Sequence, residues 1–304
     1  MNTGMYLHRL SAPQPPEHNF LRRIPTTVSP RAGCITLYFY TPPGYSSARK
    51  YPVLVNFHGG GFTIGHATDD SRWAGAAIKH ADSVVVSVDY RLAPEYAFPT
   101  AIEDGVDALL YLASHAEELH IDPHNIGVSG FSAGGNMAFT VLIRLYEELR
   151  RRGPRAPDIK VVAIAAWYPS TDFTHTRAHR RATSLRPDKE LPRMFTDLFD
   201  ASYLWPPRSV PLDSPYLSPG VARDRLLKEL PTDIFIYTCE WDELLAEAER
   251  FRARLVALGK KVTYRKVEGA AHAWDKTVGP GDTRREEIYK EVCTGLKRVF
   301  YGLD

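Results

Sequence analysis

The stretch Gly130-Phe131-Ser132-Ala133-Gly134-Gly135 follows a short apolar run at residues 125–129 and precedes a helical pattern from Asn136 to Arg150. A small residue two positions before and two after a serine, between a strand and a helix, is the G-x-S-x-G nucleophile elbow. Such a serine occupies a strained turn whose neighbours pack too closely for side chains. The N–H of Ala133 would lie in the first helical turn, where amides are unpaired and the dipole favours an anion. The alternative is a Gly/Ser-rich turn without chemistry, because short motifs also occur by chance.

A second glycine-rich stretch, His58-Gly59-Gly60-Gly61-Phe62, comes directly after the apolar run Val53–Phe57. Consecutive glycines weaken regular structure, but they let bare N–H groups approach a ligand closely. Beside a nucleophile elbow, they predict the other half of an oxyanion hole, with the N–H groups of Gly59 and Gly60 joining that of Ala133. A flexible loop and a phosphate-binding loop are the alternatives, but the Lys and Ser/Thr of a P-loop are absent.

A serine nucleophile needs a base, and the base needs an acid that orients it. In sheets with a nucleophile elbow the chain order is Ser, then Asp or Glu, then His, each on a loop after a strand. Asp242 and His272 follow two successive apolar runs in this order. Position alone leaves Glu240 and Glu243 as alternatives for the acid. His58 is an alternative base, but it precedes the serine, and we expect it to hold the glycine loop by hydrogen bonding.

Apolar runs that alternate with helical patterns predict an α/β fold, with a mostly parallel sheet and helices on both faces. The turn-rich link at residues 29–33 suits an antiparallel pair of strands at the start. The predicted strands are Leu21–Val28, Cys34–Tyr40, Val53–Phe57, Ser83–Val88, Ile126–Ser129, Val161–Trp167, Ile234–Thr238 and Val262–Val267. The predicted helices are Trp73–His80, Thr100–Glu118, Asn136–Arg150, Leu244–Leu258 and Arg284–Tyr301.

The alternation is interrupted at residues 171–230, which are rich in Arg, His, Pro and aromatic residues. A structureless loop of that length is improbable in a compact domain, so we predict a helical insertion that forms part of a lid. Residues 1–20 are Pro-rich and are predicted to form a short N-terminal cap segment, within a single domain over residues 1–304. The insertion also contains three arginines that favour a carboxylate-bearing substrate: Arg177, Arg180 and Arg181.

Composition restricts the class of protein. The net charge of +2 gives no reason to expect a nucleic-acid partner or an anionic membrane. Three cysteines without a C-x-x-C pattern argue against a disulfide framework and fit a reducing compartment. The first 20 residues lack the apolar core of a signal peptide, and there is no run of 18 apolar residues. The sequence therefore predicts a cytoplasmic protein without a membrane span.

The ordered set of motifs resembles the hormone-sensitive-lipase-like family of α/β-hydrolases, a group of esterases marked by H-G-G-G and G-x-S-A-G-G. The stretch Asp89-Tyr90-Arg91-Leu92-Ala93-Pro94-Glu95 is similar to the family's signature between those motifs. Residues 242–247 and 268–272 resemble its acid and histidine loops, which favours Asp242 over the two glutamates. The resemblance covers about residues 33–301. It implies the α/β-hydrolase fold, with a mostly parallel eight-stranded sheet and a small helical cap.

The resemblance also implies an activity. The catalytic residues would be Ser132, Asp242 and His272, with an oxyanion hole at Gly59, Gly60 and Ala133 and with no metal or other cofactor. The protein would be a serine carboxylesterase that hydrolyses small carboxylic esters through an acyl-enzyme, as a monomer or homodimer. Alternatives with the same residues are a deacetylase, a lactonase, or an amide or carbamate hydrolase. A receptor on a disabled hydrolase scaffold is the alternative outside enzymes, and the sequence does not identify substrate-binding residues.

Four features depart from the family pattern. Phe131 precedes the nucleophile where many members have Asp or Thr, Ala273 follows the histidine where Gly is usual, and Glu243 stands where Pro is common. Only 57 residues precede His58, fewer than in members with a full N-terminal helical cap. These departures affect the expected size of the substrate rather than the chemistry.

Overall fold

The sheet dominates the computed structural model, which describes residues 14–206, 209–276 and 283–303. The strands are β1 Phe20–Pro25, β2 Cys34–Tyr40, β3 Tyr51–Phe57, β4 Val84–Asp89, β5 Ile121–Phe131, β6 Val161–Trp167, β7 Asp233–Trp241 and β8 Lys261–Ala271. They form one sheet in the order β1-β2-β4-β3-β5-β6-β7-β8. Strand β2 pairs antiparallel with β1 and β4, and the other neighbours pair parallel. The predicted mostly parallel sheet of eight strands is confirmed.

Helices cover both faces of this sheet. They are α1 Ser71–His80, α2 Thr100–Ser114, α3 Ala133–Arg152, α4 Arg177–Ala182, α5 Arg193–Tyr203, α6 Asp224–Glu229, α7 Leu245–Ala257 and α8 Arg284–Tyr301. Successive side chains of a strand point to opposite faces of the sheet. Val53 and Val55 of β3 therefore pack in the core beneath α2 and α3. Leu54 between them packs on the other face with Trp73 of α1 and Val292 of α8. Within the described ranges, no helix has the length and apolar content needed to cross a bilayer.

Strand β1 is shorter than the predicted Leu21–Val28 and ends at Pro25. The backbone N–H groups of Thr27 and Val28 donate to the carboxylate of Asp107 on α2, over 2.9 and 3.1 Å. An acceptor from a distant helix therefore replaces the strand partner that would extend the ladder.

The region between α2 and β5 also differs from the prediction. The helix predicted over Thr100–Glu118 ends at Ser114, and the strand predicted over Ile126–Ser129 begins at Ile121. Ile121 pairs with Tyr51 beyond an irregularity in the ladder, so the neighbouring strand extends β5 toward its N-terminal end.

The segment between β6 and β7 contains the helices α4, α5 and α6. Helix α5 packs on the glycine-rich loop, where Tyr203 stacks on Phe62 with ring centroids 3.8 Å apart. A Cβ added to Gly61 would lie 2.3 Å from the ring of Phe199. The insertion therefore contacts the loop after β3, and its action as a lid stays a prediction. Of the cap segment predicted at residues 1–20, residues 1–13 lie outside the described residues.

Candidate active site

The nucleophile elbow lies between the end of β5 and the start of α3. Ser132 has a backbone φ of 57° and ψ of −112°, a conformation that side-chain-bearing residues rarely adopt. A Cβ on Gly130 would lie 2.1 Å from the carbonyl oxygen of Gly134, and one on Gly134 would lie 1.9 Å from that of Phe57. Both positions therefore require glycine, which explains the spacing on either side of the serine.

Three side chains from separate loops meet at the elbow. The hydroxyl oxygen of Ser132 lies 2.8 Å from Nε2 of His272, and Nδ1 of His272 lies 2.7 Å from Oδ2 of Asp242. The other oxygen of Asp242 accepts the N–H of Leu244 over 3.0 Å, which fixes the carboxylate. The imidazole therefore has a hydroxyl at one nitrogen and a buried carboxylate at the other, which is the arrangement of a serine nucleophile with its base and acid.

The structure separates the three candidate acids that position alone left open. Glu240 accepts the backbone N–H of Gly269 over 2.7 Å, and Glu243 pairs with Arg177 over 2.8 Å. Asp242 is the carboxylate beside His272. Each carboxylate in this loop thus has a different partner, and only the geometry of Asp242 suits orientation of the base.

The surroundings of His272 set its basicity. Burial alone would lower the pKa of His272, but the charge of Asp242 and its hydrogen bond outweigh burial and raise it above the ordinary value. Glu243 acts in the same direction, and Arg177 opposes it. The ring of Tyr168 packs edge-on against the imidazole with centroids 4.8 Å apart. The imidazole is therefore made more basic by the neighbouring charge and is held in place by an aromatic neighbour.

The glycine-rich loop lies against the elbow. A Cβ on Gly59 would lie 3.0 Å from the carbonyl oxygen of Phe131 and 3.5 Å from the Cβ of Ser132. Gly60 has a φ of 112°, and its carbonyl accepts the N–H groups of Thr63 and Ile64. Within the described ranges, neither the Gly59 nor the Gly60 N–H donates to a backbone carbonyl in a turn or loop. Gly59 thus packs against Ser132, and neither amide has a backbone acceptor in a turn or loop of the described chain.

His58 belongs to this loop rather than to the reacting group. Its Nδ1 lies 2.7 Å from the carbonyl oxygen of Gly59, and its ring stacks on Tyr90 with centroids 4.2 Å apart. Burial lowers the pKa of His58, so the ring is neutral at physiological pH. The hydroxyl of Tyr90 donates to the carbonyl of His58 over 2.8 Å, which ties the loop to the signature stretch after β4.

A cavity of about 40 Å³ adjoins the hydroxyl of Ser132. Its walls combine the elbow, the glycine-rich loop, the insertion and the acid loop, and they include Phe62, Phe173, Phe199, Arg177 and Glu190. Aromatic rings and charged side chains therefore share the wall. No pattern in the sequence identifies Glu190, because its place on the wall depends on how the insertion packs.

The arginines of the insertion are paired with carboxylates. Arg180 is buried and pairs with Glu247 over 2.9 Å. Arg177 contacts Asp200 over 2.7 Å and Glu243 over 2.8 Å. The positive charge of Arg177 and Arg180 is therefore compensated inside the protein.

A buried ionic cluster lies behind the elbow, and the sequence did not predict it. The ammonium of Lys276 lies 2.6 Å from Asp70 and 2.9 Å from Asp275. It also lies 3.8 Å from the ring centroid of Phe131, the residue that departs from the family pattern. Asp275 accepts the hydroxyl of Tyr168 over 2.6 Å. The cluster therefore links Phe131, the residue before Ser132, to the aromatic ring that packs on His272.

Residues 54–276 match the family model of the alpha/beta hydrolase fold. The chain belongs to this family. Esterase LipI of Mycobacterium tuberculosis is 31% identical over 293 residues, which cover 95% of this chain and 86% of LipI. The structure of EstE1, a thermostable carboxylesterase from a metagenomic library, is similar with a TM-score of 0.78 at 30% identity. The match covers 99% of this chain and 96% of EstE1. LAE6, an alpha/beta hydrolase from the Lake Arreo metagenome, has a TM-score of 0.81 at 27% identity, over 98% of this chain and 88% of that one.

These relatives confirm the family and the fold that the motifs predicted. They also confirm the enzyme class at the level of the family, a serine hydrolase of the carboxylesterase type. The roles of individual residues, the oligomeric state and the cytoplasmic location stay predictions.

Proposed function

We propose that the protein hydrolyses small carboxylic esters through an acyl-enzyme on Ser132, with His272 as general base and acid and Asp242 as its orienting partner. The observation that carries this proposal is the pair of contacts at His272, 2.8 Å to the serine hydroxyl and 2.7 Å to the carboxylate. Both distances lie within hydrogen-bond reach, which proton transfer between these groups requires.

In the first half-reaction, the oxygen of Ser132 attacks the ester carbonyl while Nε2 of His272 takes the hydroxyl proton. Asp242 keeps the other imidazole nitrogen protonated and stabilises the imidazolium that forms. The carbonyl oxygen gains negative charge and is bound by the N–H groups of Gly59, Gly60 and Ala133. Collapse of this intermediate breaks the bond to the alcohol, and His272 gives the alcohol its proton.

In the second half-reaction, water replaces the alcohol. His272 takes a proton from the water, whose oxygen attacks the acyl carbon, and the same N–H groups bind the oxyanion again. Collapse returns the proton to Ser132 and releases the carboxylic acid.

The cavity beside the hydroxyl favours small acyl groups. Its volume is about 40 Å³. Aromatic walls at Phe173 and Phe199 limit the space available to a longer chain in this conformation. We therefore expect acetate and propionate esters to have a higher kcat/KM than octanoate esters.

Ser132→Ala tests the nucleophile. We expect it to lower turnover of a short-chain aryl ester by roughly 10⁴- to 10⁶-fold, because it removes the attacking oxygen. The control is Ser47→Ala, because Ser47 is exposed and does not line the cavity. Circular dichroism would show that both variants fold, and unchanged turnover in Ser132→Ala would refute the assignment.

Two further measurements distinguish the alternatives. A fluorophosphonate probe should label the wild-type protein and not Ser132→Ala, whereas a receptor without catalysis would stay unlabelled. A panel of esters, lactones, amides and acetylated small molecules would show which bond is hydrolysed fastest, and a lactone or amide preference would replace the ester assignment.

A further inference from the structure

The cavity wall contains more acidic than basic side chains. Glu190, Asp200 and Glu243 line it, and Arg177 is the arginine that joins them. Arg177 donates two hydrogen bonds to Asp200 and one to Glu243, over 2.7 to 2.8 Å, and 17% of its side chain is exposed. A substrate carboxylate could reach this guanidinium only by displacing a carboxylate that is already paired with it.

A second arginine lies next to this wall. Arg181 is 3.5 Å from Glu243 and 3.7 Å from Glu190, with 12% of its side chain exposed. Three carboxylates are thus balanced by two guanidinium groups. The Asp242–His272 pair adds a further negative charge whenever the imidazole is neutral, so the site as a whole is acidic.

Glu190 has an oxygen without a partner. Its side chain is 7% exposed, and Oε1 is buried with no hydrogen-bond partner among the residues that the structure describes, while Oε2 is the oxygen near Arg181. A buried carboxylate oxygen without a donor is energetically unfavourable. Because Glu190 lines the cavity, a substrate donor that enters there can supply the missing hydrogen bond.

We infer that the site selects esters that carry a protonated amine and discriminates against esters that carry a carboxylate. The amine would donate to Oε1 of Glu190 and be attracted by the excess negative charge of the wall. We place the amine on the alcohol part of the ester, so that the acyl group can be as small as acetate. This inference rests on the proposed ester hydrolysis and adds the charge of the substrate to it.

Three acetate esters of similar size test the inference at pH 7: 2-(dimethylamino)ethyl acetate, which is cationic, 3-methylbutyl acetate, which is neutral, and 3-acetoxypropanoate, which is anionic. The measured quantity is kcat/KM from acetate release. We expect the cationic ester to exceed the anionic one by at least about tenfold, because opposite charges attract and like charges are disfavoured at close range. Equal values, or a preference for the anionic ester, would overturn the inference.

Glu190→Gln keeps the size of the side chain and removes its charge, so the cationic-to-anionic ratio should fall several-fold. The control is Asp188→Asn, which removes a charge from the same segment at an exposed side chain that pairs with Arg186 and does not line the cavity. The ratio should persist in this control. An equal loss on all three esters in Glu190→Gln would assign Glu190 a structural role and overturn the inference.

The neutral ester separates this inference from the proposed function. If the wild-type protein hydrolyses 3-methylbutyl acetate without any charge preference, only the inference fails. If it hydrolyses none of the three acetates or short-chain aryl esters, the proposed function fails as well. The wild-type comparison does not depend on any variant, so the inference is testable even if Glu190→Gln does not fold.

Discussion

Replacing Lys276 with methionine should destabilise the protein strongly, because it breaks the ionic cluster behind the elbow. The ammonium contacts Asp70 and Asp275, whose side chains are 1% and 0% exposed. Removing one partner of a buried ion pair leaves an uncompensated charge, which typically costs about 3–5 kcal/mol in the free energy of unfolding. Methionine has a similar length and stays in contact with the ring of Phe131, so loss of volume adds little to the effect.

The expected change in melting temperature follows from the size of the chain. Unfolding entropy is about 2.1 cal/mol/K per residue, or roughly 0.6 kcal/mol per kelvin for 304 residues. A loss of about 3–5 kcal/mol therefore lowers Tm by about 5–8 °C. Differential scanning calorimetry at pH 7 measures this change in Tm directly.

The control is Lys50→Met, which breaks an ion pair with Glu117 in which the two side chains are 49% and 85% exposed. Exposed pairs contribute little, so Tm should change by at most about 2 °C. A Tm of Lys276→Met within 2 °C of the wild-type value would refute the argument that the cluster is energetically important.

The effect of Lys276→Met should also depend on pH. Burial opposes ionisation of Asp275, but the charge of Lys276 and the hydrogen bonds of two tyrosines outweigh burial and lower its pKa. A depressed acid pKa contributes stability above the unfolded pKa, near 3.9, and this contribution is lost as the pH falls below it. The Tm difference between wild type and variant should therefore narrow as the pH falls below about 4, because protonation neutralises the carboxylates that the lysine no longer balances.

Three further outcomes follow from the site. Asp242→Asn should lower kcat by about 10⁴-fold without unfolding the protein, because the imidazole loses its orienting carboxylate, whereas Glu240→Gln should retain most activity; steady-state kinetics on an aryl acetate checks both. The pH profile of kcat/KM should have its acid limb above about pH 6.5, the ordinary pKa of histidine, because the pKa of His272 is raised and the protonated imidazole cannot accept the serine proton. An acid limb at or below about pH 6.5 would contradict the argument that Asp242 raises this pKa. Gly60→Ala should lower kcat/KM at a temperature at which the variant is still folded, because the new Cβ would lie 2.0 Å from the carbonyl oxygen of Ile64 and displace an oxyanion donor. An unchanged kcat/KM would exclude this loop from the oxyanion hole.

Much of the fold could be predicted because its signals are local. Strands β2 and β6 have the bounds predicted from their apolar runs, Cys34–Tyr40 and Val161–Trp167. Strand β6 lies in the parallel part of the sheet, where a strand covered on both faces is almost wholly apolar, so its sequence marks both ends. The elbow was predictable for a similar reason, because the glycines that the close packing requires at positions 130 and 134 lie within two residues of Ser132.

The features that the sequence did not predict depend on partners far apart in the chain. Strand β1 stops early because Asp107 accepts N–H groups from residues about 80 positions away. Lys276 finds its partner Asp70 across 206 positions. Such pairs have no period and no fixed spacing, so neither apolar pattern nor motif identifies them before the chain is folded.

The charge of the substrate pocket illustrates the same limit with a functional consequence. In the sequence, the insertion is a cluster of arginines, which favoured an anionic substrate. In the structure, Arg177 is bound by Asp200 from the following helix and by Glu243 from a loop 66 positions away. Glu190 then adds a carboxylate oxygen that has no donor within the described part of the chain. The charge that a ligand meets is the net charge of side chains from several loops, including those that pair with the arginines. The expected preference therefore changes from an anionic to a cationic substrate once these partners are known.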